Sequence, residues 1–203
     1  IWGVGNTLKN KLNNDGIRTI GQIREMDCSE LIIKYGSIGS HIHKLSNAED
    51  VREIKPFRKV KSISHETTFE KDTNNEVFLK KILWSLCEKV SDRAKKRGLG
   101  GSTINLKIKT KDFKLISRSV TIEEPTQIAE IIFQTSKLLL LREIKKNKFR
   151  LLGVGLSNLK DSEICDLYDL INTNNRKEKN IEFAIDTIRN KYGINLIKKG
   201  RSI

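Results

Sequence analysis

The sequence is poor in the features that mark secreted and membrane proteins. Its 203 residues include only three cysteines, Cys28, Cys87 and Cys165, which form no CxxC pair and no even set for disulfides. Scattered cysteines of this kind are typical of a reducing cytoplasm. No apolar run reaches the roughly 20 residues that cross a bilayer, and no signal peptide is recognisable. We therefore predict a cytoplasmic protein with no membrane partner, and because the chain begins at Ile1 we expect a piece of something longer.

The sequence also lacks a recognisable catalytic or metal-binding set. His41 and His43 are two residues apart, but ordinary helix positions explain them, and His65 is too distant in sequence to argue for a third ligand. The carboxylates that come closest to a set are Asp112, Glu123 and Glu124. Two of these flank turns, so we predict no catalytic residue, no metal ion and no cofactor in this chain.

Positive charge is what the sequence has in excess. Lysine and arginine number 39 against 25 aspartates and glutamates, which gives a net charge of +14. Residues 56–160 carry 23 basic and 11 acidic side chains, whereas residues 1–55 and 161–203 each carry 8 and 7. A surplus confined to one segment indicates a polyanion-binding module, because a merely solubilising surface would spread its charges. Since no basic amphipathic helix stands alone to favour a membrane, nucleic acid is the predicted partner.

Residues 1–52 predict a small domain of short helices separated by tight turns. The first helix is expected over residues 6–14 with Asn6 as its cap, and the second follows Thr19 as a cap. The Gly3-Val4-Gly5 turn ahead of the first helix leaves backbone N–H groups at a helix N-terminus, where a phosphate can bind. An ordinary glycine turn between core helices is the alternative. Residues 53–59 predict a basic linker.

Residues 60–159 change from helical periodicity to alternation. Four strands are predicted in KVKSISHETTF, STINLKIKTKDF, KLISRSVTI and FRLLGVGLSNL. A helix between the first two strands shows a stripe of Phe78, Ile82, Leu86 and Val90. A second helix, with Pro125 in its first turn, precedes the last strand. The order β-α-β-β-α-β predicts an α+β domain, a four-stranded sheet with both helices on one face.

The face of this sheet that the helices leave open is predicted to contact phosphates. If Ile104, Leu106 and Ile108 face the helices, the alternating Asn105, Lys107 and Lys109 point the other way. On the last strand the residues expected to be exposed are Gly153, Gly155 and Ser157. A solvated polar face is the alternative. A sheet that stacks single-stranded RNA is disfavoured, because Phe113 and Phe149 fall at strand ends.

Several stretches together resemble the C-terminal half of Y-family translesion DNA polymerases, closest to the bacterial DinB type. IWGVGNTLKNKL followed by GIRTIGQI resembles the helix-hairpin-helix of the thumb, and YGSIGSHIHKLSNAED resembles the end of that thumb. RKVKSISHETTF, SRSVTIEEPT and FRLLGVGLSNL resemble the little-finger domain. The resemblance runs from residue 1 to about residue 159 and implies a thumb at 1–52 and a little finger at 60–159.

The resemblance implies that the chain grips double-stranded primer-template DNA for an error-prone polymerase. By position, the thumb turn would hold a phosphate with Gly3, Val4, Gly5 and Thr7, with Lys9 beside them. The little-finger contacts, taken from the resemblance and from the open face, would be Lys61, Ser62, Lys107, Lys109, Arg118, Arg150 and Ser157. The palm, which binds Mg²⁺ for nucleotidyl transfer in this family, has no counterpart in the sequence. A stand-alone nucleic-acid-binding adaptor is the alternative.

The tail, residues 160–203, carries a separate signal. EICDLYDLI resembles the peptide by which bacterial polymerases dock in the sliding clamp, with Asp166, Leu167 and Tyr168 as the implied contacts. The family pattern usually begins with glutamine, where this chain has Ile164, and a plain helix start is the alternative. After it, NTNNRKEKN predicts a flexible linker and IEFAIDTIRNKYG a short helix.

Overall fold

The computed structural model describes residues 1–53, 59–144, 147–167, 173–193, 196–197 and 199–200. The chain divides into two compact units, Ile1–Arg58 and Lys59–Ile203. Most of the predicted linker, residues 54–58, lies outside the described residues. No helix in the described ranges combines the length and the apolar character needed to cross a bilayer.

The described part of the first unit, residues 1–53, contains four short helices. They are α1 (Asn6–Asn14), α2 (Ile20–Glu25), α3 (Cys28–Tyr35) and α4 (Ser37–Ser46). The Thr19 side chain accepts from the Gln22 N–H, and Gln22 reciprocates in a capping box. The predicted Asn6 cap is wrong: Gly5 occupies the cap position, and no side chain caps α1. Leu31 and Ile42, both fully buried, anchor the small core between the helices.

The second unit is an antiparallel four-stranded sheet with helices on one face. Its elements are β1 (Ser62–Thr73), α5 (Glu76–Lys96), β2 (Leu99–Thr110), β3 (Leu115–Thr126), α6 (Ala129–Ile144), β4 (Phe149–Asp161) and α7 (Thr173–Tyr192). The strand order is β1-β4-β2-β3. Helix α5 packs against β1, β4 and α6, and α6 packs against β2 and β3. The α+β fold predicted from the sequence is confirmed.

Sheet and helices meet in one apolar core. Ile104, Leu106 and Ile108 are completely buried against the helices, as their alternation predicts. The predicted stripe of α5 is partly wrong, because Phe78 is 42% exposed whereas Leu79 and Leu83 are fully buried. Leu86 and Val90 are buried as predicted, and the apolar face is broader than a single row because the helix contacts both the sheet and α6.

The segment before α6 also differs from the prediction. Pro125 is the second-last residue of β3 and not part of a helix, and α6 begins only at Ala129. Near the end of an edge strand, a proline need not donate to the ladder. The Ala129 N–H, the first amide of α6, donates to the Glu182 carboxylate on α7 at 2.9 Å.

The C-terminal part of the second unit contains the long helix α7, which packs on α5. The flexible linker predicted at NTNNRKEKN is wrong, because α7 already begins at Thr173. Glu182 reaches Lys95 of α5 at 2.5 Å, and Arg189 reaches Glu88 at 2.9 Å. These contacts join residues 87 and 101 positions apart, which explains why local composition did not reveal them.

Candidate nucleic-acid interface

In the first unit, the glycine turn presents an uncapped helix start. Gly3 has φ +95°, a conformation that side-chain-bearing residues rarely adopt, and Val4 donates to the Ile1 carbonyl at 3.3 Å. Thr7 and Lys9 are exposed on the first turns of α1. The first amides of a helix have no intrahelical acceptor, and α1 has no side-chain cap. The predicted turn residues therefore lie together at a positive helix end.

In the second unit, the open face of the sheet is organised in rows across the strands. Three rows are polar or glycine: Ser62, Ser157, Thr103 and Thr121; Ser64, Gly155, Asn105 and Ser119; Glu66, Gly153, Lys107 and Ser117. The fourth row consists of Thr68, Leu151, Lys109 and Leu115. Of the predicted contacts, Ser62, Ser157, Lys107 and Lys109 are therefore on one surface.

Several of these side chains are held by neighbours on the same face. The Lys107 ammonium lies 2.7 Å from the Glu66 carboxylate, which partly neutralises it. The Asn105 amide donates to the Ser157 hydroxyl at 2.9 Å. For Lys109, no carboxylate partner lies among the described residues; its ammonium lies over the Phe113 ring, 5.0 Å from the centroid. Lys109 is thus better placed than Lys107 to attract a phosphate.

The two glycines of β4 are buried, contrary to the prediction. A Cβ at Gly153 would meet the Glu66 Cβ at 2.9 Å, and one at Gly155 would meet the Ser64 Cβ at 2.9 Å. Side chains of the neighbouring strand β1 thus lean over both glycines. The glycines allow β1 and β4 to pack closely, and they do not form an open approach for phosphates.

The remaining predicted contacts lie around the sheet rather than on its centre. Lys61 is exposed immediately before β1. Arg118 is in register with the core residue Leu106, so it lies on the side of the sheet that the helices cover, where its Nε donates to Glu143 at 3.0 Å. Arg150 lies at the start of β4, at the same end of the sheet as the fourth row.

Arg150 belongs to a group that the sequence did not predict. Its guanidinium donates to both oxygens of Asp72, at 3.0 and 2.9 Å. This hydrogen-bonded pairing holds the pKa of the Asp72 carboxyl below its usual range. The guanidinium also lies over the Phe113 ring, 4.4 Å from its centroid. Phe113 is 60% exposed, whereas Phe149, the other aromatic expected at a strand end, is completely buried.

The predicted clamp contacts lie where the chain leaves the sheet. The Asp166 N–H donates to the Pro125 carbonyl at 3.0 Å, and its carboxylate accepts from the Gln127 N–H at 3.1 Å. Burial raises the pKa of this carboxyl above its ordinary value. Leu167 is 58% exposed. Tyr168 lies outside the described residues.

A metal ion has no evident ligand set in the part of the chain that the structure describes. No three His, Cys, Asp or Glu side chains in those ranges are grouped so that they could hold one. His41 and His43 are both half-buried residues of α4.

The comparison with family models identifies the second unit. The model of the impB/mucB/samB family C-terminal domain matches residues 60–167, more than half of the chain. The chain therefore belongs to this family, the Y-family to which its sequence motifs point.

Individual relatives agree with the family match. DNA polymerase IV 1 of Mesorhizobium japonicum is 44% identical over 200 residues, which cover 98% of this chain and 46% of that protein. DNA polymerase IV of Brucella melitensis biotype 1 is also 44% identical over 200 residues, covering 98% of this chain and 45% of that protein. The chain thus spans about half the length of the curated relatives it matches.

A solved structure supports the fold. A Y-family DNA polymerase chimera of Dbh and Dpo4 matches with a TM-score of 0.63 and 18% identity, covering 78% of this chain and 46% of that one.

Proposed function

We propose that this chain holds primer-template DNA for an error-prone translesion DNA polymerase. The family match and the relatives named DNA polymerase IV support a polymerase rather than a stand-alone adaptor. The observation that carries the DNA-holding role is the open sheet face. It is polar over three of its four rows, bears Lys107 and Lys109, and lies in the segment that holds most of the positive charge.

The grip is on the sugar-phosphate backbone. Hydroxyl groups such as those of Ser62 and Ser157 donate to phosphate oxygens without distinguishing bases, and lysines add sequence-independent attraction. In the first unit, the uncapped start of α1 offers amides to one further phosphate. Such contacts suit a polymerase, which has to move along DNA of any sequence.

Nucleotidyl transfer is assigned to another part of the parent protein. We propose that acidic residues outside this sequence bind the Mg²⁺ that supplies this chemistry in two-metal polymerases. The steps that we assign to this chain are binding steps, in which its own side chains and backbone amides contact DNA.

Two variants, each of which removes the carboxylate of one ion pair, test whether the open face of the sheet binds DNA. Glu66 pairs with Lys107 on the open face, whereas Glu76 pairs with Lys80 on α5, on the helix-covered side. Glu66→Gln frees Lys107 for phosphates, so we expect duplex affinity to rise about threefold. Glu76→Gln changes the net charge equally and should alter the affinity less than about twofold. Fluorescence anisotropy with a labelled primer-template measures both.

The opposite change should weaken binding. Lys109→Ala removes a lysine that has no carboxylate partner in the described ranges, so the slope of log affinity against log salt should become shallower by about one. Equal effects of Glu66→Gln and Glu76→Gln, together with an unchanged slope for Lys109→Ala, would exclude the open face as the contact surface.

For the tail we propose docking in the apolar pocket of the bacterial sliding clamp. Asp166 has φ +56° and is hydrogen-bonded to the corner between β3 and α6, which leaves the exposed Leu167 directed away from the core. Leu167 and Tyr168 would then serve as the apolar anchors, and anchors of this kind carry most of a small interface's energy. Calorimetry with a peptide of residues 161–173 should show binding that a Leu167→Ala, Tyr168→Ala peptide loses. Absence of heat with the wild-type peptide at high micromolar concentration would refute clamp docking.

A further inference from the structure

The fourth row of the open face differs from the other three. Leu115 and Leu151 occupy strand positions that hold serine, threonine or glycine in the other rows, and Leu115 is 55% exposed. Phe113 lies beside this row in the turn between β2 and β3 and is 60% exposed. We call the group of Lys109, Phe113, Leu115, Arg150 and Leu151 the Phe113 patch.

The backbone fixes Phe113 in an uncommon conformation. Its φ of +62° lies in the left-handed region, which costs energy for a bulky side chain. The turn holds it there: the Phe113 N–H donates to the Thr110 carbonyl at 3.0 Å, and the Lys111 N–H donates to the Lys148 carbonyl at 3.0 Å. Because the ring remains mostly exposed, core packing does not compensate for this cost. The turn therefore presents an aromatic ring to solvent, where a partner can contact it.

The positive charges around the Phe113 ring favour an anionic partner. Arg150 and Lys109 lie 4.4 and 5.0 Å from the ring centroid, and Asp72 fixes the Arg150 guanidinium with two hydrogen bonds. The turn and its neighbours add further exposed cations: Lys111, Lys114 and Lys148. Lys109 has no carboxylate partner in the described ranges, so a base can take the place of its ammonium over the ring, while the displaced lysine and the other cations meet the phosphates.

We infer that the Phe113 patch binds an unpaired nucleotide by stacking its base on Phe113. In a duplex, bases stack on one another and their faces are inaccessible, so the site requires a single-stranded nucleotide next to the duplex. The inference rests on the proposed function and deepens it, because it adds a base contact to a face otherwise suited to phosphates. Stacking tolerates any base, so the site adds no sequence preference.

The test separates stacking from charge by changing both the ring and the base. The probes are a fluorescein-labelled thymine oligonucleotide of about twelve nucleotides, the matching strand with abasic residues, and a blunt duplex. Phe113→Leu keeps an apolar side chain but removes the aromatic face. Phe183→Leu is the matched control. Phe183 is an exposed aromatic residue of α7, and the Lys95 ammonium lies over its ring.

We expect Phe113→Leu to weaken binding of the thymine strand about tenfold, within the range for loss of one stacked base. Wild-type protein should prefer the thymine strand over the abasic strand by a similar factor, and Phe113→Leu should lose this preference. Duplex affinity should change less than about twofold, as should every affinity of Phe183→Leu. Phe113→Trp should retain the preference, which verifies that the position tolerates substitution.

The outcomes are distinguishable. If wild-type protein binds the duplex but Phe113→Leu retains the full preference for bases, the stacking site is wrong and the proposed function stands. If Phe113→Leu weakens the thymine, abasic and duplex probes equally, the ring only positions Lys109 and Arg150, and the inference is overturned. If wild-type protein binds none of the probes, the proposed function itself fails.

Discussion

Removal of the Glu182 carboxylate is expected to destabilise the second unit. Its oxygens lie 2.9 and 3.0 Å from the Ala129 N–H, 2.5 Å from the Lys95 ammonium and 2.8 Å from the Ser91 hydroxyl. Glu182 therefore serves as the N-terminal cap of α6 from another helix, and it joins α7 to α5 and α6. The side chain is only 8% exposed, so water replaces these contacts poorly.

The magnitude follows from which partners lose their hydrogen bonds. In Glu182→Ala, Ser91 keeps the Gln127 carbonyl at 2.6 Å, and Lys95 keeps Asp186 at 2.6 Å. The Ala129 N–H loses its acceptor, which costs about 1 kcal/mol by analogy with a lost helix cap. The charge-assisted bond to Lys95 adds about 1.5 kcal/mol. We expect a loss of roughly 2–3 kcal/mol in the free energy of unfolding.

Urea unfolding, monitored by the fluorescence of Trp84, measures this loss of stability in the second unit specifically. Trp84 is 1% exposed in the core of the second unit, whereas the other tryptophan, Trp2, is 77% exposed in the first. Glu178→Ala on the same helix is the control: its contact is a long one to Lys199, 3.4 Å, so it should cost less than about 0.5 kcal/mol. A Glu182→Ala protein as stable as Glu178→Ala would refute the capping role.

Two further predictions concern stability at other positions. Gly155→Ala places a Cβ 2.9 Å from the Ser64 Cβ between β4 and β1, so we expect urea unfolding to show a loss of about 1–3 kcal/mol; an unchanged midpoint would contradict the close strand packing. For Asp166 the folded pKa is raised above 3.8, so its contribution to stability is fully present below the unfolded pKa and is lost as pH rises through the folded pKa. Asp166→Asn keeps an acceptor for the Gln127 N–H and tolerates positive φ, so its stability at neutral pH should equal or exceed that of wild type, with the difference vanishing below about pH 3. A clear loss at neutral pH would contradict the sign of this shift.

The sequence predicts those elements that depend on local pattern. The alternation of Ile104, Leu106 and Ile108 identifies the core face of β2, and Thr19 caps α2 as predicted, in a capping box that Gln22 completes. In both cases neighbours within a few positions determine the outcome, because strand alternation and helix capping are local.

Several of the errors arise where distant parts of the chain meet. Gly153 and Gly155 are covered by β1, and only the strand register shows which β1 residues lie over them. The cap of α6 comes from Glu182, 53 positions beyond the amide that it accepts from. No local pattern in a single sequence specifies such pairings.

The candidate site shows the same division. Alternation correctly places Lys107 and Lys109 on the open face. Arg118 lies on the other side of the sheet because it is in register with the core residue Leu106, and the sequence alone does not specify this register. Phe113 is recognisable only as an aromatic near a strand end. Its exposure and its contact with Arg150 depend on a cross-strand arrangement that folding creates.

The affinity of the wild-type chain for a short DNA duplex, measured across a salt series, tests the central claim most directly. If the chain grips phosphates, log affinity should fall with log salt between about 50 and 200 mM with a slope steeper than about −2, because each neutralised phosphate contributes about −0.9. Two duplexes of unrelated sequence should give the same affinity and the same slope. Undetectable binding at about 50 mM salt, or a slope near zero, would contradict a DNA-holding role for this chain.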